Sequence, residues 1–472
     1  MTSFPTTIVE AGAALRAGEL TSVELIRTVL ARADKIDDDL GCFLARFDDD
    51  ALSAAATADA ELAAGTDRGP LHGIPLGIKD LLAAREGPTT AHSLVPSRVA
   101  PPGVDAEAVA RLRDRGAVIV GKTSLSEYAL GAPDPDAGLP LPRNPWDREH
   151  WPGGSSSGTA SGLAAGLFLG GLGTDTGGSI RIPAACCGIT GLKPTYGRVS
   201  KSRCIPLAYS LDTVGPMART AEDCAVLLQV ISGQASNDAT SADEPVPNYI
   251  SALTGDLSGV RVGVERVHHG TQVGADPEVV ARVEEAVKDL ERAGAIVEEI
   301  TIEHRQIADA ATRVIMHTEA FTQHRPTLRD RWHDYGPFTR LLLTHGAFLS
   351  ASDYVQAQRV RSLVRAEVKQ LLKRVDVIVT PTVGVPAPRL DADFVALMPL
   401  FFTGVWNLTG NPALSLPVGP VRGLPVGMQI VGRPFAEATV LRVGDAYQRR
   451  TDWHRRRPEE RDDARSDAPD HA

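Results

Sequence analysis

Apolar positions recur at helical spacing in two segments near the start of the chain. The first segment has an apolar face made of Leu25, Ile26, Val29, Leu30 and Ala33. Ahead of this face, Thr21 and Glu24 have the spacing of a capping box, so we predict an amphipathic helix from residue 22 to about residue 37. The alanine-rich stretch from Asp48 to Ala64 predicts a second helix.

Short β-rich runs alternate with helical patterns in the rest of the chain. The runs cover residues 71–79, 117–120, 260–264, 375–379 and 427–431. A helical pattern from Asp276 to Ala293 separates two of them, and the small residues from Thr159 to Leu172 predict a tightly packed helix. Strands interleaved with helices predict an α/β fold with a parallel or mixed sheet covered on both faces. Lys79 is then expected at the end of a buried strand.

The length of 472 residues allows two or three domains, although large α/β enzymes often fold as one. We expect one domain over residues 1–455. Residues 236–248 are rich in Ser, Asp, Asn and Pro, so we interpret them as a surface loop and not as a linker between domains. The charged tail over residues 456–472 is expected to be disordered.

The formal net charge of −10 argues against a nucleic-acid surface and favours a small neutral substrate. The sequence contains no apolar run of the roughly 20 residues that span a bilayer, and its start does not resemble a signal peptide. We therefore expect a cytoplasmic protein that acts on a small molecule, with no nucleic acid and no membrane as partner and a homodimer as one option. Five cysteines without CxxC spacing, and histidines without the spacing of a metal helix, indicate no metal and no cofactor.

Two glycine-rich turns that contain serines supply the candidate chemistry. Ser155 lies in the run GGSSSG at residues 153–158, and Ser179 lies in GTDTGGSIRIP at residues 173–183. Such a turn lets backbone N–H groups converge on a developing anion, and a serine in it is placed to attack a carbonyl. Burial beside apolar neighbours would lower the pKa of Lys79 and make it a base. These three residues form a candidate site for acyl transfer.

These motifs resemble the signature of the amidase signature family of serine hydrolases. Every fixed position of the family pattern is occupied from Gly153 to Pro183, and residues 187–195 continue it. The segment GIPLGIKD at residues 73–80 matches the family's lysine segment. The resemblance implies a single α/β/α domain with a large central mixed β-sheet covered by helices on both faces, and a signature core at about residues 70–225.

The resemblance also implies the reaction, hydrolysis of a C–N bond in an amide, carbamate or hydrazide through a seryl acyl-enzyme. Ser179 would be the nucleophile, Ser155 would relay a proton, and Lys79 would be the neutral base. The oxyanion hole would consist of the backbone N–H groups of Thr176, Gly177, Gly178 and Ser179. The family places a cis peptide bond before the relay serine, which is Gly154–Ser155 in this chain.

The substrate is less constrained by the sequence than the reaction. Phe401, Phe402, Trp406 and, on the opposite wall, Tyr128 are candidate residues of an apolar substrate pocket, with core packing as the alternative. The family also includes the glutaminase subunit of a tRNA-dependent amidotransferase. Residues 398–407 are apolar where that subunit would use an aspartate to recognise the amino group of glutamine, so we favour a stand-alone amidase for an apolar or aryl amide.

A remote alternative uses the same residues differently. The run GSSSG at residues 154–158 satisfies the GxSxG pattern of α/β-hydrolases, which would make Ser156 the nucleophile of an esterase. His317 or His345 would then be the base. This interpretation leaves Lys79 and the second glycine turn without a role, so we rank it below the amidase.

Overall fold

The strands of the chain form one large sheet. The computed structural model of the protein describes residues 4–97, 99–130, 136, 138–266 and 274–459. Within this part of the chain the strands are β1 (Phe43–Arg46), β2 (Pro75–Lys79), β3 (Val118–Thr123), β4 (Gly170–Asp175), β5 (Thr190–Lys193), β6 (Thr213–Ala218), β7 (Arg261–Glu265), β8 (Ile296–Ile300), β9 (Val377–Pro381), β10 (Ala413–Val421) and β11 (Leu424–Gly432). These 11 described strands follow the order β1-β3-β2-β4-β6-β5-β10-β11-β9-β7-β8.

The sheet is mixed. Strand β2 pairs in parallel with β3 and β4, and β7 pairs in parallel with β8 and β9, whereas the other neighbouring pairs are antiparallel. Every residue of β2, β4 and β11 is buried, so side chains that point to either side of these strands are covered. The prediction of an α/β fold with a large mixed sheet is confirmed.

Helices pack around this sheet. Their bounds are α1 (Ile8–Ala17), α2 (Ser22–Leu40), α3 (Asp48–Ala63), α4 (Glu107–Asp114), α5 (Ser157–Ala165), α6 (Arg181–Cys187), α7 (Ala221–Ile231), α8 (Pro277–Arg292), α9 (Arg305–Asp330), α10 (Pro337–His345), α11 (Ala351–Arg374), α12 (Phe394–Leu397), α13 (Gly404–Thr409) and α14 (Glu437–Gln448). Of the helices in the described ranges, none is both long enough and apolar enough to cross a membrane.

The predicted elements match the structure closely where a cap or a breaker marks their ends. The capping box forms at the start of α2, where the Thr21 side chain accepts from the Glu24 backbone N–H and the Glu24 carboxylate accepts from the Thr21 backbone N–H. The second predicted helix is α3 and the pattern from Asp276 to Ala293 is α8. The run at residues 375–379 becomes a strand only from Val377, because α11 extends to Arg374.

The prediction of one helix from Thr159 to Leu172 is wrong. Helix α5 ends at Ala165, and Gly166 takes a left-handed conformation with a φ of 75° that caps the helix. The chain then enters β4 at Gly170, where Leu172 pairs with Pro216 of β6. Small residues suit both a tight helix and a crowded central strand, so composition alone did not separate the two.

The loop and tail predictions fall on segments without regular structure or outside the described residues. Residues 236–248 contain no helix or strand and are mostly exposed or half-buried. Of the predicted tail, residues 456–459 are described, and the Arg456 guanidinium lies 4.1 Å from the ring centre of Trp453. Residues 460–472 lie outside the described part of the chain, so the prediction of disorder there stays untested.

Parallel pairing of β2 with β4 positions the candidate site. Lys79 is the last residue of β2 and Asp175 is the last residue of β4. Because parallel strands end at the same edge of a sheet, the lysine and the second glycine turn meet there. Helix α5 begins beside them at Ser157, directly after the first glycine turn.

Candidate active site

Lys79 is enclosed by hydroxyl groups. Its Nζ donates to Ser155 Oγ at 2.8 Å, to Ser156 Oγ at 2.9 Å and to Thr174 Oγ1 at 2.8 Å. The side chain is fully buried. Among the described residues, no carboxylate forms an ion pair with this amine.

Burial without an ion pair changes the acidity of the amine. Desolvation lowers the pKa of Lys79 to about 7, although the more distant Asp175 and Asp212 carboxylates act in the opposite direction. At neutral pH a large fraction of the amines is therefore unprotonated. A neutral amine that is hydrogen-bonded to serine hydroxyls can accept a proton from one of them.

The two serines beside Lys79 differ in their access to solvent. Ser155 borders a cavity, and the peptide bond between Gly154 and Ser155 is cis, as the resemblance implies. Ser156 Oγ is fully buried and donates to the Thr174 carbonyl at 3.2 Å. Residues 151–155 ahead of Ser156 do not form a strand, so the strand, turn and helix of a nucleophile elbow are not assembled around Ser156.

Ser179 lies in the second glycine turn, which a buried ion pair braces. The Arg181 guanidinium contacts both carboxylate oxygens of Asp175 at 3.0 Å, and both side chains are fully buried. Although burial alone would raise the pKa of Asp175, Arg181 lowers it to about 2. The Asn407 side chain adds a hydrogen bond to Asp175 Oδ1 at 2.8 Å. These buried hydrogen bonds hold the second glycine turn in place.

The backbone of the turn is closely packed. Gly178 has a φ of 134°, and a Cβ at this position would lie 2.2 Å from Thr403 Oγ1, so only glycine fits. The Gly178 N–H donates to Asp175 Oδ1 at 2.8 Å. This N–H is therefore engaged inside the turn, unlike our expectation that it would face a substrate. The carbonyl of Ser179 accepts from the Ser156 N–H at 3.1 Å and connects the two glycine turns.

A second carboxylate supports the start of the turn. Asp212 is buried and accepts from the Thr176 hydroxyl at 2.6 Å and from the Leu207 N–H at 3.0 Å. Burial raises the pKa of Asp212, and the hydrogen bonds from these donors oppose that rise only in part. Sequence reasoning missed both Asp212 and Thr174. Asp212 lies outside both glycine-rich runs, whereas Thr174 lies within the second run but contacts Lys79 only because the fold brings β2 beside β4.

Ser155 and Ser179 line the same cavity. It has a volume of about 170 Å³ and is also bordered by Gly154, Thr176 and Gly177 from the two turns. Its apolar wall contains Trp151, Ile182, Leu207, Phe338, Leu342, Phe394, Met398, Pro399 and Phe401. Its polar wall comes from α9 and contains Asp309, Thr312, Arg313 and His317. A charged wall was not expected from the sequence.

The four candidate pocket residues separate into two groups. Phe401 lines the cavity, where its ring lies 6.1 Å from that of Trp151. The structure instead packs Phe402, Trp406 and Tyr128 into the core, with exposed fractions of at most 3%. The Tyr128 hydroxyl donates to the Val95 carbonyl at 2.7 Å, and its ring packs edge-on against His324. The alternative of core packing therefore holds for Phe402, Trp406 and Tyr128.

Comparison with known proteins identifies what the chain is similar to. The family model described as Amidase matches residues 24–441. The chain is 43% identical to the A subunit of glutamyl-tRNA(Gln) amidotransferase from Roseiflexus sp. (strain RS-1), over 96% of this chain and 98% of the relative.

Two solved structures share the fold over nearly the whole chain. The peptide amidase of Stenotrophomonas maltophilia has a TM-score of 0.84 at 32% identity, with 98% of this chain and 99% of the amidase covered. The A subunit of glutamyl-tRNA(Gln) amidotransferase from Thermotoga maritima has a TM-score of 0.78 at 33% identity, with 94% of each chain covered.

These relatives correct the expectation about partners. We expected a protein that acts on a small molecule and has no nucleic-acid partner. That expectation is wrong, because the Roseiflexus and Thermotoga relatives, which match almost the full length, are subunits of an enzyme named for glutamyl-tRNA(Gln). The net charge of −10 was therefore not sufficient ground for excluding a nucleic-acid partner.

Proposed function

The chain belongs to the amidase family, and on that premise we propose that it hydrolyses a carboxamide through a seryl acyl-enzyme, as the glutamine-hydrolysing component of a glutamyl-tRNA(Gln) amidotransferase. One observation carries the chemistry: Lys79 is buried among hydroxyls and has a pKa of about 7. The assignment to this complex is supported by the 43% identity to its A subunit over almost the entire length of both chains.

In the proposed mechanism the neutral Lys79 amine accepts the proton of Ser155. Ser155 takes the proton of Ser179 at the same time, and Ser179 Oγ attacks the carbonyl carbon of the amide. The hydrogen bond of 2.8 Å between Lys79 Nζ and Ser155 Oγ supports the first transfer. The shared cavity wall of Ser155 and Ser179 supports the second.

Collapse of the tetrahedral intermediate needs a proton on the leaving nitrogen. The Lys79 ammonium returns its proton through Ser155, and ammonia leaves while Ser179 retains the acyl group. Water then enters by the same route, with Lys79 again as base, and releases the carboxylic acid. Because one lysine donates and accepts in turn, a pKa near neutrality suits both halves of the cycle.

Charge on the carbonyl oxygen is proposed to be stabilised by backbone N–H groups of the second glycine turn. Since the Gly178 N–H is engaged with Asp175, the donors that we propose are those of Thr176, Gly177 and Ser179. Gly177 borders the cavity, and a Cβ on it would have only Met316 Sδ nearby, at 3.9 Å. In comparable sites the loss of one such donor costs about 3–4 kcal/mol of barrier.

The experiment that tests the assignment uses the chain in place of the A subunit in a reconstituted glutamyl-tRNA(Gln) amidotransferase. We expect ammonia release from L-glutamine and formation of glutaminyl-tRNA, and we expect Ser179→Ala to abolish both. A complex that assembles and binds tRNA but gives no ammonia from glutamine would refute the assignment.

The apolar wall of the cavity favours a second candidate function. Trp151, Phe394 and Phe401 form a cluster in which the Trp151 ring lies 4.8 Å from that of Phe394 and 6.1 Å from that of Phe401, next to the glycine turns. Such a surface suits an amide with an aryl or alkyl acyl group. Faster turnover of benzamide or butyramide than of glutamine would favour this candidate over the glutaminase.

A further inference from the structure

One wall of the cavity beside Ser179 carries an unexpected polar stripe. Asp309, Arg313 and His317 all border the cavity and lie four residues apart in α9. Residues four apart occupy one face of a helix at a spacing of about 6 Å. The stripe therefore runs along the cavity and presents a carboxylate, a guanidinium and an imidazole in that order.

The nearest ion pair in α9, between Arg305 and Glu265, does not include Asp309 or Arg313. Arg305, one turn earlier in α9, donates to Glu265 Oε2 at 2.6 Å and to the Phe402 carbonyl at 2.8 Å, so its charge is already matched. Within the described ranges, neither Asp309 nor Arg313 has a hydrogen bond or an ion pair. Both remain available to a ligand.

The surroundings make Asp309 more than a solvated surface charge. It is half-buried, and desolvation raises the pKa of its carboxyl against the fields of Arg305 and Arg313. A cation beside this carboxylate would offset the cost of its burial. Arg313 is exposed at the cavity rim, and burial lowers the pKa of His317 to about 4, so the imidazole carries no charge at neutral pH.

We propose that Asp309 and Arg313 bind the charged end of the amide substrate, with the ammonium on Asp309 and the carboxylate on Arg313. The substrate class is then an α-amino acid whose side chain ends in a carboxamide, with the methylene groups against Phe401 and the amide at Ser179. This inference rests on the proposed function and specifies how glutamine would be held. It also explains how the site can lack an aspartate at residues 398–407, because α9 supplies one from another direction.

The test measures binding by calorimetry in a Ser179→Ala background, which separates recognition from turnover. The four ligands are L-glutamine, N-acetyl-L-glutamine without the ammonium, L-glutamine methyl ester without the carboxylate, and butyramide without either. Asp309→Asn should weaken the binding of glutamine and of its methyl ester at least tenfold. The affinity for the other two ligands should change by less than twofold. Arg313→Gln should weaken the binding of glutamine and of N-acetylglutamine at least tenfold. The affinity for the other two ligands should not change.

Matched controls come from the same helix. Asp330→Asn and Arg329→Gln change the same groups at exposed positions near the end of α9, outside the cavity lining. They should leave the binding of all four ligands within twofold. The proposal is overturned if Asp309→Asn and Arg313→Gln bind glutamine like the controls, if butyramide binds as tightly as glutamine, or if glutamine does not bind.

Ammonia release by the protein with Ser179 intact distinguishes this outcome from failure of the proposed function. If the protein hydrolyses glutamine and both variants bind it normally, the proposed glutaminase function stands and the proposed subsite is wrong. If glutamine binds through both residues but no ammonia is released, the proposed subsite stands and the proposed glutaminase function is wrong.

Discussion

Two buried lysines in neighbouring strands have different partners and therefore different chemistry. Lys79 at the end of β2 contacts three hydroxyls, whereas Lys122 in β3 forms an ion pair of 2.6 Å with the buried Asp80 and donates to Thr89 Oγ1 at 2.7 Å. Burial lowers the pKa of both amines, but Asp80 opposes that effect at Lys122. A carboxylate partner keeps a buried lysine cationic and structural, whereas hydroxyl partners leave it free to exchange protons.

A third buried lysine has a similarly lowered pKa but a different hydrogen-bond partner. Burial lowers the pKa of Lys193 to about 7, yet its Nζ donates to the Pro194 carbonyl at 2.8 Å. A carbonyl has no proton to give. What distinguishes Lys79 is the combination of a neutral amine with hydroxyl partners that border a cavity.

The largest effect is expected from removing the amine of Lys79. Lys79→Met should reduce amide hydrolysis by about 10⁴-fold or more, since the substitution removes the proposed base. The free energy of unfolding should not fall, because an amine whose burial is costly has been removed. Steady-state kinetics with matched urea denaturation checks both statements. A Lys79→Met protein that retains a tenth of the activity would contradict the proposal that Lys79, unlike Lys122, acts as a base.

Lys122→Met should act on stability. The substitution leaves the Asp80 carboxylate buried without its counter-ion, so we expect a loss of about 3–5 kcal/mol in the free energy of unfolding. The double variant Asp80→Asn/Lys122→Met should recover much of this loss. Urea denaturation of the two single variants and the double variant gives the coupling between the residues, and additive losses would contradict the ion-pair account.

Ser155→Ala sharpens the role of the hydroxyl beside Lys79. Amide hydrolysis should fall by about 10²-fold or more, because the leaving nitrogen loses its proton route. Hydrolysis of a p-nitrophenyl ester with the same acyl group should fall less, since a phenolate leaves without a proton. Parallel kinetics on the matched pair measures the difference, and equal losses would exclude the relay.

The smallest effect is expected at Thr174. Thr174→Val keeps the shape of the side chain and removes one hydrogen bond of 2.8 Å to Lys79. One such bond contributes about 1 kcal/mol, so activity should fall by less than tenfold. Because the ammonium form loses an acceptor, the pKa of Lys79 should decrease further. A pH profile that shifts to higher pH would contradict this assignment.

Sequence patterns singled out those residues of the candidate site that lie in local motifs. Lys79, Ser155 and Ser179 each lie in a short motif, and the parallel pairing of β2 with β4 brings the motifs to one edge of the sheet. The capping box of α2 and the apolar face behind it were likewise local. Each of these features depends on residues that are adjacent in the chain or on a standard strand pairing.

The rest of the cavity depends on contacts between distant segments. Asp309 and Arg313 reach the site from α9, about 130 residues after Ser179, and nothing in their local sequence indicates a cavity. Phe402 and Trp406 lie in the same short segment as Phe401, yet of these three residues only Phe401 borders the cavity. Which residues of a short segment face a cavity is set by tertiary packing, which a single sequence does not reveal.

The measurement that tests the central claim most directly is the rate at which a fluorophosphonate modifies the serine nucleophile as a function of pH. Fluoride leaves without a proton, so this rate isolates the deprotonation step from the protonation of an amide nitrogen. Because only the unprotonated amine is a base, the rate should rise with pH through about 7 and level off above it. Two units below that pKa it should be about 100-fold lower than on the plateau.

The adduct should map to Ser179 by peptide mass spectrometry, and Lys79→Arg should be unreactive across the range, since a guanidinium stays protonated. A rate that is constant between pH 5 and 9, or a Lys79→Arg protein that reacts like the wild type, would contradict the claim that a neutral Lys79 is the base.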